Sequence, residues 1–72
     1  MKLSKETIAK CHEAGTNVYT AKKVTNKFGT WITVTYATRL FKNGQCTAIT
    51  TEKETTIEGS TQEDIVNYFC NM

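Results

Sequence analysis

Apolar and polar residues along the chain follow two periodicities, and the switch between them marks out the elements. Near the start, Ile8, Cys11 and Ala14 recur every third residue, which lines them along one side of a helix. Ser4 stands where an N-cap belongs, Leu3 and Ile8 can form a hydrophobic staple, and Gly15 can close the helix in a left-handed conformation. The pattern predicts a helix over Lys5–Ala14. The spacing then drops to two, with β-branched and aromatic residues alternating against polar ones. Asn43-Gly44, set between two such runs, is the sequence of a two-residue type I′ hairpin turn. It implies a register in which Lys42 faces Gln45, Phe41 faces Cys46, Arg39 faces Ala48, Tyr36 faces Thr51 and Trp31 faces Thr56.

In that register Leu40, Tyr36, Val34, Ile32, Ile49 and Ile57 share the face expected to cover a core. The opposite face carries Trp31, Thr33, Thr35, Ala37, Arg39 and Phe41 against Cys46, Ala48, Thr50, Glu52, Glu54 and Thr56. An earlier strand is expected over Asn17–Asn26, with Val18 and Val24 inward and Lys23 and Lys27 outward, turning back at Lys27-Phe28-Gly29-Thr30. A closing helix is expected over Thr61–Asn71. Ser60 and Glu63 would form its capping box, and Ile65, Tyr68, Phe69 and Met72 its apolar stripe. The expected fold is α+β, a single compact domain over residues 1–72 in the order α-β-β-β-α. Its three-stranded antiparallel meander would carry both helices on one face.

Composition agrees with a strand-rich reading. Fourteen of the 72 residues are threonine and none is proline, and threonine suits strands better than helix interiors. A chain this short buries only about 60% of the surface its unfolded form exposes. With 39% hydrophobic and 22% charged residues, it matches neither a disordered tail nor a membrane protein. MKLSKETIAK has no apolar h-region, so a secretory signal is not expected and a cytoplasmic location is.

Chemistry is sparse. Cys11, Cys46 and Cys70 are isolated and odd in number, which argues against a disulfide framework or zinc site and reads as buried or half-buried thiols in a reducing compartment. Cys11 and His12 are neighbours, which on a helix point about 100° apart, so they make a poor nucleophile–base pair. No glycine-rich phosphate loop, metal-ligand spacing or paired carboxylate stands out. No enzyme activity, metal or cofactor is expected.

Charge is polarised along the chain. Residues 1–43 hold eight basic residues and two acidic, a net of +6, whereas residues 44–72 hold one basic and five acidic, a net of −4. Two binding readings follow. In the first, Trp31, Arg39 and Phe41 form the contact core for a larger protein, because aromatic residues and arginine dominate binding hot spots. Glu52 and Glu54 would then meet a basic partner surface. A second copy of the chain could occupy the same sheet face or edge. In the alternative, Lys22, Lys23, Lys27, Arg39 and Lys42 bind RNA or DNA.

Several resemblances bear on these readings. The α-β-β-β-α order, with a helix entering after Gly59-Ser60, is similar to the double-stranded-RNA-binding domain, which implies RNA contacts from the first helix, a hairpin loop and the opening of the last helix. That opening is here Ser60-Thr61-Gln62-Glu63-Asp64, acidic where the family is basic. Gly29-Thr30-Trp31, followed by Lys42-Asn43-Gly44 and a closing helix, looks like the arm-binding domains of phage-type integrases, which read DNA with a sheet. Thr33-x-Thr35 resembles a row from an ice-binding surface, although Glu52 and Glu54 interrupt the facing strand. In style, a small chain without catalytic groups and with a sticky sheet face resembles anti-CRISPR proteins and other phage-encoded inhibitors. That likeness implies inhibition of a host defence or nucleic-acid enzyme by occlusion.

Overall fold

The computed structural model describes residues 1–71. Helix α1 (Lys5–Glu13) leads to strands β1 (Thr16–Asn26), β2 (Gly29–Lys42), β3 (Gln45–Ile49) and β4 (Lys53–Glu58), and helix α2 (Gln62–Cys70) closes the order. All pairings are antiparallel, with β2 central. β1 lies along one edge of β2; β3 and then β4 lie along the other. β3 and β4 are thus one returning strand broken at Thr50–Glu52, and the architecture is the expected α-β-β-β-α.

Ser4 caps α1, its side chain accepting from Thr7 N at 3.1 Å. The Ser4 hydroxyl also donates to Thr7 Oγ1 at 2.9 Å, so Thr7 is satisfied locally and can be buried. The helix therefore turns Leu3, Thr7 and Cys11 to the core, four residues apart, and Ile8 faces out at 40% exposure. That corrects the expected Ile8 stripe and the staple. α2 opens with a capping box from Thr61 and Asp64, not Ser60 and Glu63. The Asp64 carboxylate accepts from the backbone N–H of both Ser60 and Thr61, at 2.8 and 2.9 Å. These bonds hold its pKa below the usual carboxylate range. The box lies one residue later than expected because Gly59 lets the chain swing in at φ 149°. A methyl group at Gly59 would meet Asp64 Oδ2 at 2.5 Å.

Gln62, at the start of α2, accepts from Ser4 N at 2.7 Å and donates to Lys2 O at 3.1 Å. At the other end Cys70 Sγ lies 3.7 Å from Lys10 O, so the helices run side by side in one direction. They cover the sheet face that presents Val18, Ala21, Ile32, Val34 and Ile57, and Cys11, Ile65 and Phe69 complete the core. Tyr36 packs its ring 5.0 Å from that of Phe69. Tyr68 does not belong to the buried stripe: it is half exposed, with its hydroxyl 3.3 Å from Thr55 Oγ1. Val66 packs against the core instead. Met72, the last member of the expected stripe, lies outside the described residues.

The hairpin turn is the expected one, with Asn43 and Gly44 at φ 54° and 79°. The register beyond it is not. Lys42 faces Gln45 and Phe41 faces Cys46, but Thr47 is then extra, so Leu40 faces Ala48 and Arg39 faces Ile49. A second slip at the break sets Tyr36 opposite Lys53, Ile32 opposite Ile57 and Trp31 opposite Glu58. Two one-residue slips restore parity, so Ile57 still points inward and Glu54 and Thr56 outward. Between the slips the faces are inverted. Ile49 shares a face with Arg39, and Leu40 and Ile49, expected in the core, stand 48% exposed beyond the helices. Thr50 leaves the open face to bridge the break, its N–H donating to Thr38 O and its hydroxyl accepting from Thr38 N, both at 2.9 Å. Ala37, expected on the open face, is buried beside this break.

A third irregularity sits in β1. Val18 faces Tyr36, but Thr20 faces Thr35, leaving Tyr19 extra. Beyond it, Ala21 points inward opposite Val34, Lys23 shares the core side with Ile32 at the sheet edge, and Val24 lies outward beside Trp31. The expected directions of Val24 and Lys23 are therefore exchanged.

Candidate interaction surfaces

Three surfaces remain once the core is assigned. The first is an arm made of the end of β2 and all of β3. Every residue of β3 is exposed, and its Ile49 and the adjacent Leu40 and Phe41 of β2 are about half exposed. The arm makes the molecule long: its extents are 47 × 22 × 20 Å. The radius of gyration is 12.7 Å, where a compact chain of this length would have about 11 Å. At the base of the arm the Arg39 guanidinium donates to His12 O in the last turn of α1 and lies 5.2 Å over the Phe41 ring. Arg39 N also donates to Gly15 O at 2.9 Å. A planar cation at a helix C-terminus adds a second donor to a carbonyl that already accepts from Gly15 N, and complements the helix dipole. Arg39 thus clamps the arm to α1 and orients Phe41.

The second surface is the sheet face that no helix covers. Its rows across β1, β2 and β4 are Val24–Trp31–Glu58, Lys22–Thr33–Thr56 and Thr20–Thr35–Glu54. Trp31, Val24, Thr33 and Thr35 are half-buried by their neighbours, and the flanking charges are exposed. The third surface is the β1–β2 hairpin, where Lys27 Nζ sits 5.1 Å over the ring of Phe28, which is 82% exposed.

These positions divide the residues expected to act together. Arg39 and Phe41 are in contact, but Trp31 is eight residues back along β2, roughly 26 Å of extended strand. Glu54 lies on the open face opposite Thr35, and Glu52 lies in the break. Of the basic set, Lys27 lies at the β1–β2 turn with Lys22 and Lys23 further back on opposite faces of β1, whereas Arg39 and Lys42 belong to the arm. Sequence reasoning missed Leu40 and Ile49 as surface residues. The available signal was the length of the hairpin, which runs further than two short helices can cover.

The thiols also redistribute. Cys11 is fully buried, while Cys46 on the arm and Cys70 on α2 are exposed, contrary to the expectation of buried or half-buried thiols for all three. Burial pushes the Cys11 thiol up, with a smaller contribution from Cys70, the opposite of what activates a nucleophile. His12, its neighbour, points to solvent. Among the described residues no three His, Cys, Asp or Glu side chains group as metal ligands, and no helix is long and apolar enough to cross a membrane. Compared with known proteins, the chain matches no family model, no curated protein and no solved structure.

Proposed function

We propose that the chain is a non-enzymatic protein-binding module that lays its β2–β3 arm on a larger protein and acts by occluding a surface of that partner. The observation that supports this reading is the arm itself: Leu40, Phe41 and Ile49 stand 48–53% exposed on a two-stranded ribbon outside the core. An isolated ribbon is marginal in water. Phe41 and Ile49 share the face of Arg39, and Leu40 projects from the other; exposed apolar groups on a projecting element are a cost unless a partner covers them. Arg39 holds the Phe41 ring in place, so an aromatic anchor is presented with little ordering left to do. The likeness to phage-type inhibitors of host defence or nucleic-acid enzymes belongs to this same reading, because occlusion needs a rigid scaffold and an anchor but no catalytic group. Exposed, unpaired Cys46 and Cys70 suit a reducing cytoplasm as the place of action.

The test is capture from a host lysate followed by titration of the purified partner. Wild type and Trp31→Ala should bind alike, and Phe41→Ala/Ile49→Ala should bind about tenfold or more weakly at unchanged circular dichroism. Equal affinity of the arm variant removes this reading.

A second reading has its own support. Lys27 stacks over the exposed Phe28 ring at the β1–β2 hairpin, and Lys22 and Lys23 follow further back along β1, a basic and aromatic mixture of the kind that stacks on single-stranded nucleic acid. A filter-binding titration against RNA and DNA checks it: affinity that falls steeply with salt, and is lost on Phe28→Ala, is the expected signature.

A further inference from the structure

The open face of the sheet has a charge pattern that is complementary to itself. Lys22 stands on the β1 side of that face, and Glu54 and Glu58 stand on the β4 side. Between them, on β2, lie Trp31, Thr33 and Thr35, with Val24 beside Trp31 on β1. Across the sheet Lys22 is level with Thr33 and Thr56, so it falls midway between the two glutamates. Each glutamate is two residues from Thr56, roughly 7 Å along the strand.

We infer that this face is a homodimer interface in which two copies stack their sheets about a two-fold axis parallel to β2. That axis lays β1 of each copy over β4 of the other. Stacked sheets lie about 10 Å apart, so Lys22 of one copy reaches the gap between Glu54 and Glu58 of its partner. Two-fold symmetry makes the contact twice. The same operation brings Trp31 against the second Trp31 and Thr33 and Thr35 against their counterparts, covering the tryptophan that the helices leave open. A two-fold axis running across the strands would instead set β1 over β1 and Lys22 over Lys22, and β4 over β4 with its glutamates together. Like charges facing each other oppose that arrangement. Pairing through the strand edges would leave Trp31 uncovered. A second copy is therefore the occupant whose charges this face already matches. This inference uses residues of the sheet face and is independent of the arm.

Sedimentation velocity at low ionic strength tests it on the full chain. Wild type should dimerise with concentration, and the emission of Trp31, the only tryptophan, should shift to the blue as it does. Lys22→Glu alone places acid against acid, and Glu54→Lys/Glu58→Lys alone places base against base, so each should weaken dimerisation about tenfold or more. Mixed in equal amounts, these two variants should form a heterodimer, since every contact between them is again a lysine facing glutamate. Recovery in the mixture shows that both variants are folded. A wild type that stays monomeric at millimolar concentration overturns the inference. So do variants that dimerise like wild type, which would point to the strand edges or the arm, and so does a mixture that remains monomeric.

Discussion

At the scale of single residues, position relative to the core decides chemistry that residue type leaves open. The three cysteines are the clearest case. Cys11 is packed under α1 with its thiol pushed up by burial, whereas Cys46 and Cys70 are in solvent. Thiolate fraction and access both set reactivity. A thiol reagent at neutral pH should therefore label Cys46 and Cys70 rapidly and leave Cys11 unmodified until the fold opens. Mass spectrometry of the labelled peptides checks this; fast labelling of Cys11 in native buffer would contradict the packing. Arg39 makes the same point. By composition it is a hot-spot residue, but its guanidinium is engaged by His12 O and the Phe41 ring, which makes it the support of the anchor.

At the scale of elements, local signals are reliable where the chemistry is local. Ser4 and the Asn43-Gly44 turn act within a few residues of themselves and stand where the spacing placed them. The start of α2 was displaced by one residue because Ser60 and Thr61 are both competent caps. Only the approach of the chain through Gly59 selects between them. The Asp64 box carries a consequence for acid stability. Its folded-state pKa lies below the unfolded one, so its contribution is complete above the ordinary carboxylate range and drains away as pH falls through the folded value. Asp64→Asn should flatten the acid limb of the stability curve, from about pH 5 downward, with little change in slope above it. Urea titrations across that range measure the effect. An acid limb identical to wild type would mean that the box does not hold in solution.

At the scale of the whole molecule, stability is distributed unevenly. Ile32, Val34, Ile65 and Cys11 are sealed from solvent, while no residue of β3 is. Few buried contacts mean cheap local opening. Amides of Cys46–Ile49 should exchange orders of magnitude faster than those of Ile32 and Val34, which should exchange only through global unfolding. Hydrogen exchange followed by NMR distinguishes the two classes. A partner on the arm would slow the first class alone, and a dimer through the sheet face would leave it unchanged. The two proposed interactions are thus separable by one measurement.

The amino-acid sequence by itself determined the type and order of the elements, the hairpin turn and most of the core. Each of these follows from side-chain periodicity and from caps that act over a few residues. It also marked Trp31, Arg39 and Phe41 as unusual for a surface. Only the tertiary structure decided which residues share a face. Extra residues at Tyr19, Thr47 and the Thr50–Glu52 break each move a strand by one position. With a side-chain period of two, each slip exchanges inside for outside until another restores it. Val24 joined Trp31, Ile49 joined Arg39, and a single expected site became an arm and a separate charged face. The physical reason is that a bulge is settled by how the twisted sheet fits its helices, a property of the packed chain that alternation along one strand does not encode.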